Sequence, residues 1–212
     1  MIYLKDEVFH SSLLDSFSLV HGFGTRKQGD GRDITRVSSY LENSKKPPRT
    51  IIKPHQTHSV YVRAISTVNN VDKIVNIPDT DGIITQEKSV LLTCLTADCV
   101  PIIFVDPVAQ VIGISHQGWK GTTNGMVREM IHGMIQMGAQ TNNIHCAFGP
   151  AINICCYHMN LYEINRKLLI EQGIKAQNID IFPFCTCCDE RFYSYRREGG
   201  IKGEMIHFVM MS

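Results

Sequence analysis

Two apolar runs, Val100–Val105 and Gln110–Ser115, are separated only by the turn-forming "DPVAQ". Runs this short, rich in β-branched residues and bounded by turn residues, read as buried strands. A connection this short forces them into an antiparallel hairpin. The hairpin constrains the rest of the chain, because both its strands are apolar on both faces and need cover on both sides. It also sets a chemical problem. An acid and a thiol, Asp98 and Cys99, stand immediately before the first strand, and His116 follows the second. Neither an acid nor a thiol suits a core without a partner. An antiparallel pair brings the start of one strand beside the end of the other, so Cys99 and His116 can meet.

Further strands are expected at Val60–Ile65, Val90–Leu95, Ile144–Phe148 and Met205–Met210. Met126, Val127, Met130, Ile131, Met134 and Ile135 recur at helical spacing, which predicts a helix over Thr123–Met137 stopped by Gly138. A methionine-rich stripe of this kind reads as core packing. A second helix is expected over Leu161–Gln172, ending at Gly173, on Leu161, Ile164 and Leu168. Glu42–Arg49 and Asn76–Gly82 read as loops. Hairpins with appended helices point to an α+β fold rather than a dinucleotide-binding one. The 212 residues suffice for one real core, and residues 1–212 are read as a single domain.

A net charge of +1 argues against a nucleic-acid or membrane-surface role driven by charge, without excluding a local basic pocket. The N-terminal stretch carries acids beside its apolar residues and does not read as a secretory signal, and no run approaches a membrane helix. A cytoplasmic location is expected, with the eight cysteines reduced, buried or metal-binding rather than disulfide-bonded.

Several patterns carry possible chemistry. Thiolate plus imidazole at Cys99 and His116 suits zinc, or copper in a suitable geometry. A third ligand from "HQTH" would leave an open position, as in catalytic zinc sites. Both His55 and His58 are available for it, and spacing does not choose between them. A non-metal Cys–His nucleophile pair uses the same two residues. In "SHQGWKGTTNG", Gly118 and Gly121 let the chain turn into a helix near Thr122 or Thr123. The exposed N–H groups there attract anions, although an ordinary strand-to-helix turn looks the same. Trp119 is either a packing anchor or a stacking face. Cys185, Cys187 and Cys188 resemble half of a zinc knuckle. No second half follows downstream, and Cys155 and Cys156 are the residues left to complete one. "YSYRR" sets arginine forks beside aromatics, which suits phosphate or carboxylate, or is simply a solvated basic face. "HGFGTRKQGDG" lacks P-loop spacing and reads as a mobile loop offering Arg26.

Taken in order, "HGFGTR", "HQTHS", "DTDGIIT", "LTADCVPIIFVDP", "SHQGWKGT", "FGPAINICCYHM" and "CTCCDERFYSYRREG" resemble the YfiH-like, laccase-domain family, spanning residue 21 almost to the C-terminus. This family was once called multicopper polyphenol oxidases and is now associated with purine nucleoside phosphorylase activity. The resemblance implies an α/β/β/α layered sandwich and a metal-binding active site of His58, Cys99 and His116, so that His58 is preferred over His55. It also implies phosphate or substrate contacts at Arg26, Lys120 and Arg196, and a catalytic part for Asp98 as ligand orienter or proton shuttle. The implied reaction is phosphorolysis of adenosine, inosine and S-methyl-5'-thioadenosine, with adenosine deamination beside it, on a zinc ion with copper as the alternative. The rival readings are a laccase-like copper oxidase and a metal-free Cys–His hydrolase. Purine nucleosides and phosphate are the implied partners, with a lean towards a homodimer. "HQGWKG" stands where HAGWRG is more usual, and Lys120 lacks the arginine fork. "QTHS" replaces a QxHG form, and His158 occupies a position where an acid is common.

Overall fold

Residues 1–34, 47–66 and 73–212 are described by the structure, a computed structural model. Thirteen strands run through them: β1 (Ile2–Lys5), β2 (Val8–Ser11), β3 (Leu19–Phe23), β4 (Thr50–Pro54), β5 (Val62–Ile65), β6 (Ile74–Ile77), β7 (Gly82–Thr85), β8 (Val90–Thr96), β9 (Val100–Asp106), β10 (Val111–Gln117), β11 (His145–Phe148), β12 (Ile179–Asp180) and β13 (Met205–Met211). They form two mixed sheets, ordered β1-β2-β3-β13-β8-β4-β6 and β12-β11-β9-β10-β7-β5. The α-helices among these residues are α1 (Ser12–Asp15), α2 (Trp119–Asn124), α3 (Met126–Gln136), α4 (Leu161–Glu171) and α5 (Tyr195–Glu198).

The expected hairpin is β9–β10, antiparallel from Val111↔Asp106 to Gln117↔Val100. Its turn is held by Asp106, whose Oδ1 accepts from the N–H groups of Val108 and Ala109, both at 2.9 Å. Gln110, read above as the first residue of a strand, lies in that turn with φ 52°. Every residue of β9 and β10 is buried, because sheet covers one face and helix the other.

The two sheets share one core by period-two alternation. Leu92 and Cys94 of β8 and Met205 and Val209 of β13 join Ile103, Ile112 and Ile114 between the sheets, while Ile102 and Phe104 share the opposite, helix-covered face with Gly113. The alternate residues Leu91, Ile206, Phe208 and Met210 turn outward into a second buried cluster with Val8, Ile34 and Ile51. The result is the expected α+β sandwich of two mixed sheets, with helices among the described residues on the outer face of the second sheet.

The methionine stripe does pack on the second sheet, burying Met126, Val127, Met130, Ile131 and Met134. It is not one helix. Gly125 adopts φ 96° and donates its N–H to the Gly121 carbonyl, ending α2 before α3 begins. Ile135, at the edge of the stripe, is 47% exposed. Only the last three residues of the loop expected at 42–49 lie among the described residues. Strand Ile74–Ile77 runs into the start of the other expected loop.

Two buried histidines sit on neighbouring strands of the first sheet. His21 Nε2 accepts from the Ser11 N–H at 3.0 Å, and His207 Nε2 meets Thr96 Oγ1 at 2.8 Å. Burial pushes His21 down to about 4 and His207 down to about 3, with neighbouring histidine charges adding to each. Both therefore fold neutral, while the unfolded chain takes up protons below pH ~6.5. Their stabilisation is complete above that pH and is lost as pH falls through 6.5 towards the folded values, at roughly 1.4 kcal/mol per unit per histidine. Thermal unfolding at about pH 5 is expected roughly 10 °C below that at about pH 7.5. A flat profile across this window would show that these rings are not buried neutral.

Candidate metal centre

Three segments deliver the donors. Cys99 precedes β9, His116 lies in β10, and His58 follows β4 in the "HQTHS" turn. The register pairs His116 with Pro101 and Gln117 with Val100, so the strand runs two residues further than expected and places Cys99 opposite Gly118. Cys99 Sγ lies 4.0 Å from His58 Nε2, and the three donor atoms all fall within 4.8 Å of one another. The two imidazole rings meet edge to face, centroids 4.7 Å apart. His55 stays outside this set, exposed and 3.5 Å from Asp79.

The organising residue is Asp81, which the sequence reading left in a loop. Its Oδ1 accepts from His116 Nδ1 at 2.8 Å and from the His58 N–H at 3.0 Å. Its Oδ2 accepts from the Thr57 N–H at 3.0 Å, the Ser59 N–H at 2.8 Å and the Ser59 hydroxyl at 2.7 Å. Successive N–H groups converging on one anion make a nest, and that curvature puts His58 at φ 60°. The "QTHS" turn is thus wound around a carboxylate 22 to 24 residues downstream in the chain. Burial works against the Asp81 charge, yet the bonds from His116 and Ser59 hold its carboxyl well below the usual range. An ionised carboxylate on Nδ1 fixes the His116 tautomer and leaves Nε2 facing the centre.

Burial alone would push the Cys99 thiol up. The His116 charge and the hydrogen bonds with His116 and His58 outweigh it and bring the thiol down to about 7. For His116 burial disfavours the charged ring, but Cys99 and Asp81 prevail and lift it to about 10. Both shifts favour a thiolate beside an imidazolium, and metal binding is coupled to loss of the His116 Nε2 proton.

The residues fit a metal ion. One thiolate and two imidazoles are the donors zinc and copper take, and three protein ligands leave a position open. The space between them is kept clear by Gly118. A Cβ there would stand 3.0 Å from His58 Cδ2, 3.1 Å from Cys99 Sγ and 3.7 Å from His116 Cε1.

Asp98 stands beside the centre but is turned away from it. Its φ of 91° is strained for a residue with a side chain. Three contacts hold it. Oδ1 accepts from Thr186 Oγ1 at 2.6 Å, Oδ2 from the Arg196 N–H at 2.7 Å, and its carbonyl from the Ile152 N–H at 2.9 Å.

The expected cations are placed differently from one another. Arg26 is not on a free loop: Thr25 caps a short turn, and the Arg26 guanidinium is bonded to Glu198 and to the Phe192 carbonyl and lies 4.6 Å over Tyr193. Arg196 is exposed, its guanidinium 5.4 Å over the Tyr157 ring. Lys120 is exposed in the first turn of α2, 5.7 Å from the ring of the half-exposed Trp119. That first turn begins at Trp119, earlier than expected, with Gly118 as its N-cap. Beside the "HQTHS" turn opens a cleft of about 250 Å³ lined by Lys53, His55, Gln56, Asn76 and Glu204, with Pro54 and Leu95.

A two-sheet α+β sandwich with a Cys/His donor set at one hairpin end defines a class of metal-binding laccase-domain folds. The chain belongs to the family described as multi-copper polyphenol oxidoreductase laccase, whose model matches residues 22–160 and 157–212. It is 33% identical to purine nucleoside phosphorylase YlmD of Bacillus subtilis (strain 168), over 62% of this chain and 59% of that one. It is 28% identical to adenosine deaminase RL5, from an unknown prokaryotic organism, over 70% of each. The crystal structure of the Bacillus licheniformis hypothetical protein YfiH superposes with a TM-score of 0.89 at 24% identity, over 100% of this chain and 99% of that one. The chain spans about 60% of the length of the first curated relatives it matches. Among the described residues no helix is long and apolar enough to cross a membrane.

Proposed function

We propose that this chain is a purine nucleoside phosphorylase, cleaving adenosine, inosine and S-methyl-5'-thioadenosine with phosphate, and that it deaminates adenosine at the same centre. The observation that carries this reading is the His58–Cys99–His116 set around the space left by Gly118, with His116 oriented by Asp81. The names of the relatives supply the reaction class. We assign zinc to the centre, where it supplies a Lewis acid with an open position for water or a substrate oxygen.

The chain's own residues do the rest. Phosphorolysis breaks the bond from ribose C1′ to the base and forms one from C1′ to a phosphate oxygen. Phosphate needs cations, and the exposed Arg196 and Lys120 supply them, whereas the Arg26 charge is already met by Glu198. Lys120 acts as a point charge rather than a fork. Asp98 is assigned as a positioning residue, because both its oxygens are engaged, one of them holding the Arg196 backbone. Asn76, Glu204 and Lys53 offer polar contacts to the nucleoside in the adjoining cleft. The chain works in the cytoplasm in this reading, where nucleosides and phosphate coexist, and no nucleic acid or membrane takes part.

One observation favours a second reading, a metal-free hydrolase: the thiolate–imidazolium pair of Cys99 and His116 is also that of an activated nucleophile. A laccase needs several coppers on clustered histidines. Only two of the chain's nine histidines fall in a donor group among the described residues.

Incubation with inosine and with adenosine, with and without phosphate, separates these readings. Ribose 1-phosphate is expected only with phosphate, and none from Cys99→Ala. Turnover in metal-stripped protein, lost on thiol alkylation, would favour the hydrolase. No base release from either nucleoside would remove the main claim.

A further inference from the structure

A second set of donors lies outside this centre. Segments 149–160 and 181–194 contain no helix or regular strand, yet together they wall the side of the molecule next to Asp98. Their cysteines converge. Cys188 Sγ is 3.4 Å from both Cys155 Sγ and Cys156 Sγ, and with Cys185 the four sulfurs all lie within 4.8 Å of one another. Four sulfurs at the corners of a tetrahedron around a zinc ion stand about 3.8 Å apart, given Zn–S bonds of about 2.3 Å.

We propose that Cys155, Cys156, Cys185 and Cys188 bind a second metal ion, a structural Zn²⁺ on four thiolates. Cys185 and Cys188 form a CxxC turn in which the Cys188 N–H bonds to the Cys185 carbonyl at 3.2 Å. The Asn153 N–H donates to Cys185 Sγ at 3.3 Å, the kind of outer bond that steadies a metal-bound thiolate. Core packing does not account for the cluster, because Cys155 and Cys188 are exposed. Disulfide pairing leaves Cys188 with two equivalent partners, whereas one tetrahedral ion uses all four sulfurs. Binding replaces four S–H bonds with four S–Zn bonds and releases four protons, with no oxidant required. The resulting negative charge has a counter-charge at hand. The Arg197 guanidinium donates to the carbonyls of Thr186 (2.7 Å), Cys187 and Asp189 (both 3.2 Å), all in the same turn.

The ion has a structural role for the neighbouring centre. Thr186, inside the CxxC turn, holds Asp98 Oδ1, and Tyr157, one residue beyond Cys156, carries Arg196 over its ring. A cross-link there fixes two irregular segments against the residue that precedes Cys99.

The inference is independent of the reaction proposed above and is tested without it. Metal analysis of the purified full chain is expected to give two zinc ions per chain. The doubly substituted His58→Ala/Cys99→Ala chain is expected to keep one. Loaded with Co²⁺, that variant should show the intense thiolate-to-cobalt absorption of a four-sulfur site, and adding Cys155→Ser/Cys188→Ser should abolish it. Cys155→Ser/Cys188→Ser alone should lower zinc to one. Should that variant fail to fold, the His58→Ala/Cys99→Ala chain still decides. A His58→Ala/Cys99→Ala chain with no zinc and no cobalt absorption overturns the proposal. So does anaerobically purified, metal-free protein in which these cysteines are disulfide-bonded.

Discussion

Gly118→Ala is expected to crowd the three-donor centre and slow its reaction while leaving the fold intact. The backbone at Gly118 has φ −69° and ψ 171°, a conformation open to alanine, so the substitution introduces no backbone strain. What it introduces is a methyl group 3.0 Å from His58 and 3.1 Å from Cys99 Sγ. Cys99 is half-buried and directly precedes a strand buried along its whole length, which restrains its backbone. His58 is exposed and can retreat, but its retreat opens the donor set. Contacts this close make the two donors give by a few tenths of an ångström, and a full 1 Å at a reacting centre costs about a hundredfold in rate. Nucleoside turnover is therefore expected to fall roughly tenfold, with weaker retention of metal by the three donors. Circular dichroism and the unfolding midpoint should stay near those of the parent chain. Unchanged turnover and metal content would show that the reacting space lies elsewhere than among these three side chains.

The same hairpin shows why part of this centre is legible in the sequence. Val100–Val105 and the run before His116 are short and mainly apolar, so their pairing follows from the short turn between them, and pairing puts Cys99 near His116. Gly118 was visible as a turn residue only. Its steric part depends on His58, which enters from a segment 60 residues upstream. Spacing left His55 and His58 equal, and the family resemblance favoured the second. Asp81 lies within "DTDGIIT", but nothing local marks an acid as the anchor of a turn 22 to 24 residues before it and of a histidine 35 residues after it. Seven strands escaped notice: β1, β2, β3, β4, β6, β7 and β12. Each has at most five residues, and several place charged or polar side chains at an edge where tertiary pairing outweighs local preference. The methionine stripe gave the buried face of α3 correctly. It could not show the break at Gly125, because a left-handed glycine one residue before a helix keeps the apolar spacing intact.

Asp81→Asn is expected to injure stability and chemistry together, although it changes one atom. Both carboxylate oxygens of Asp81 only accept, and every group facing them donates: the N–H groups of Thr57, His58 and Ser59, the Ser59 hydroxyl and His116 Nδ1. An asparagine must point its NH₂ at one of those two sets, whichever way the amide is turned. Placed at Oδ1, it opposes His116 Nδ1–H. Placed at Oδ2, it opposes Thr57 and Ser59. One or more buried donors then lose their partner, at a cost of about 3 kcal/mol. In a domain of this size that lowers the unfolding midpoint by roughly 6–12 °C. The functional loss follows from the same bonds. Without an anion on Nδ1, His116 is free to carry its proton on Nε2 instead, and the nest no longer holds His58 at positive φ. Loss of such an outer partner typically weakens metal affinity or activity about 10- to 100-fold. A titration of the variant with zinc, read alongside thermal unfolding, checks both halves. Weakened zinc binding with an unchanged midpoint would confine Asp81 to orienting His116. A lowered midpoint with undiminished zinc affinity would confine it to holding the turn.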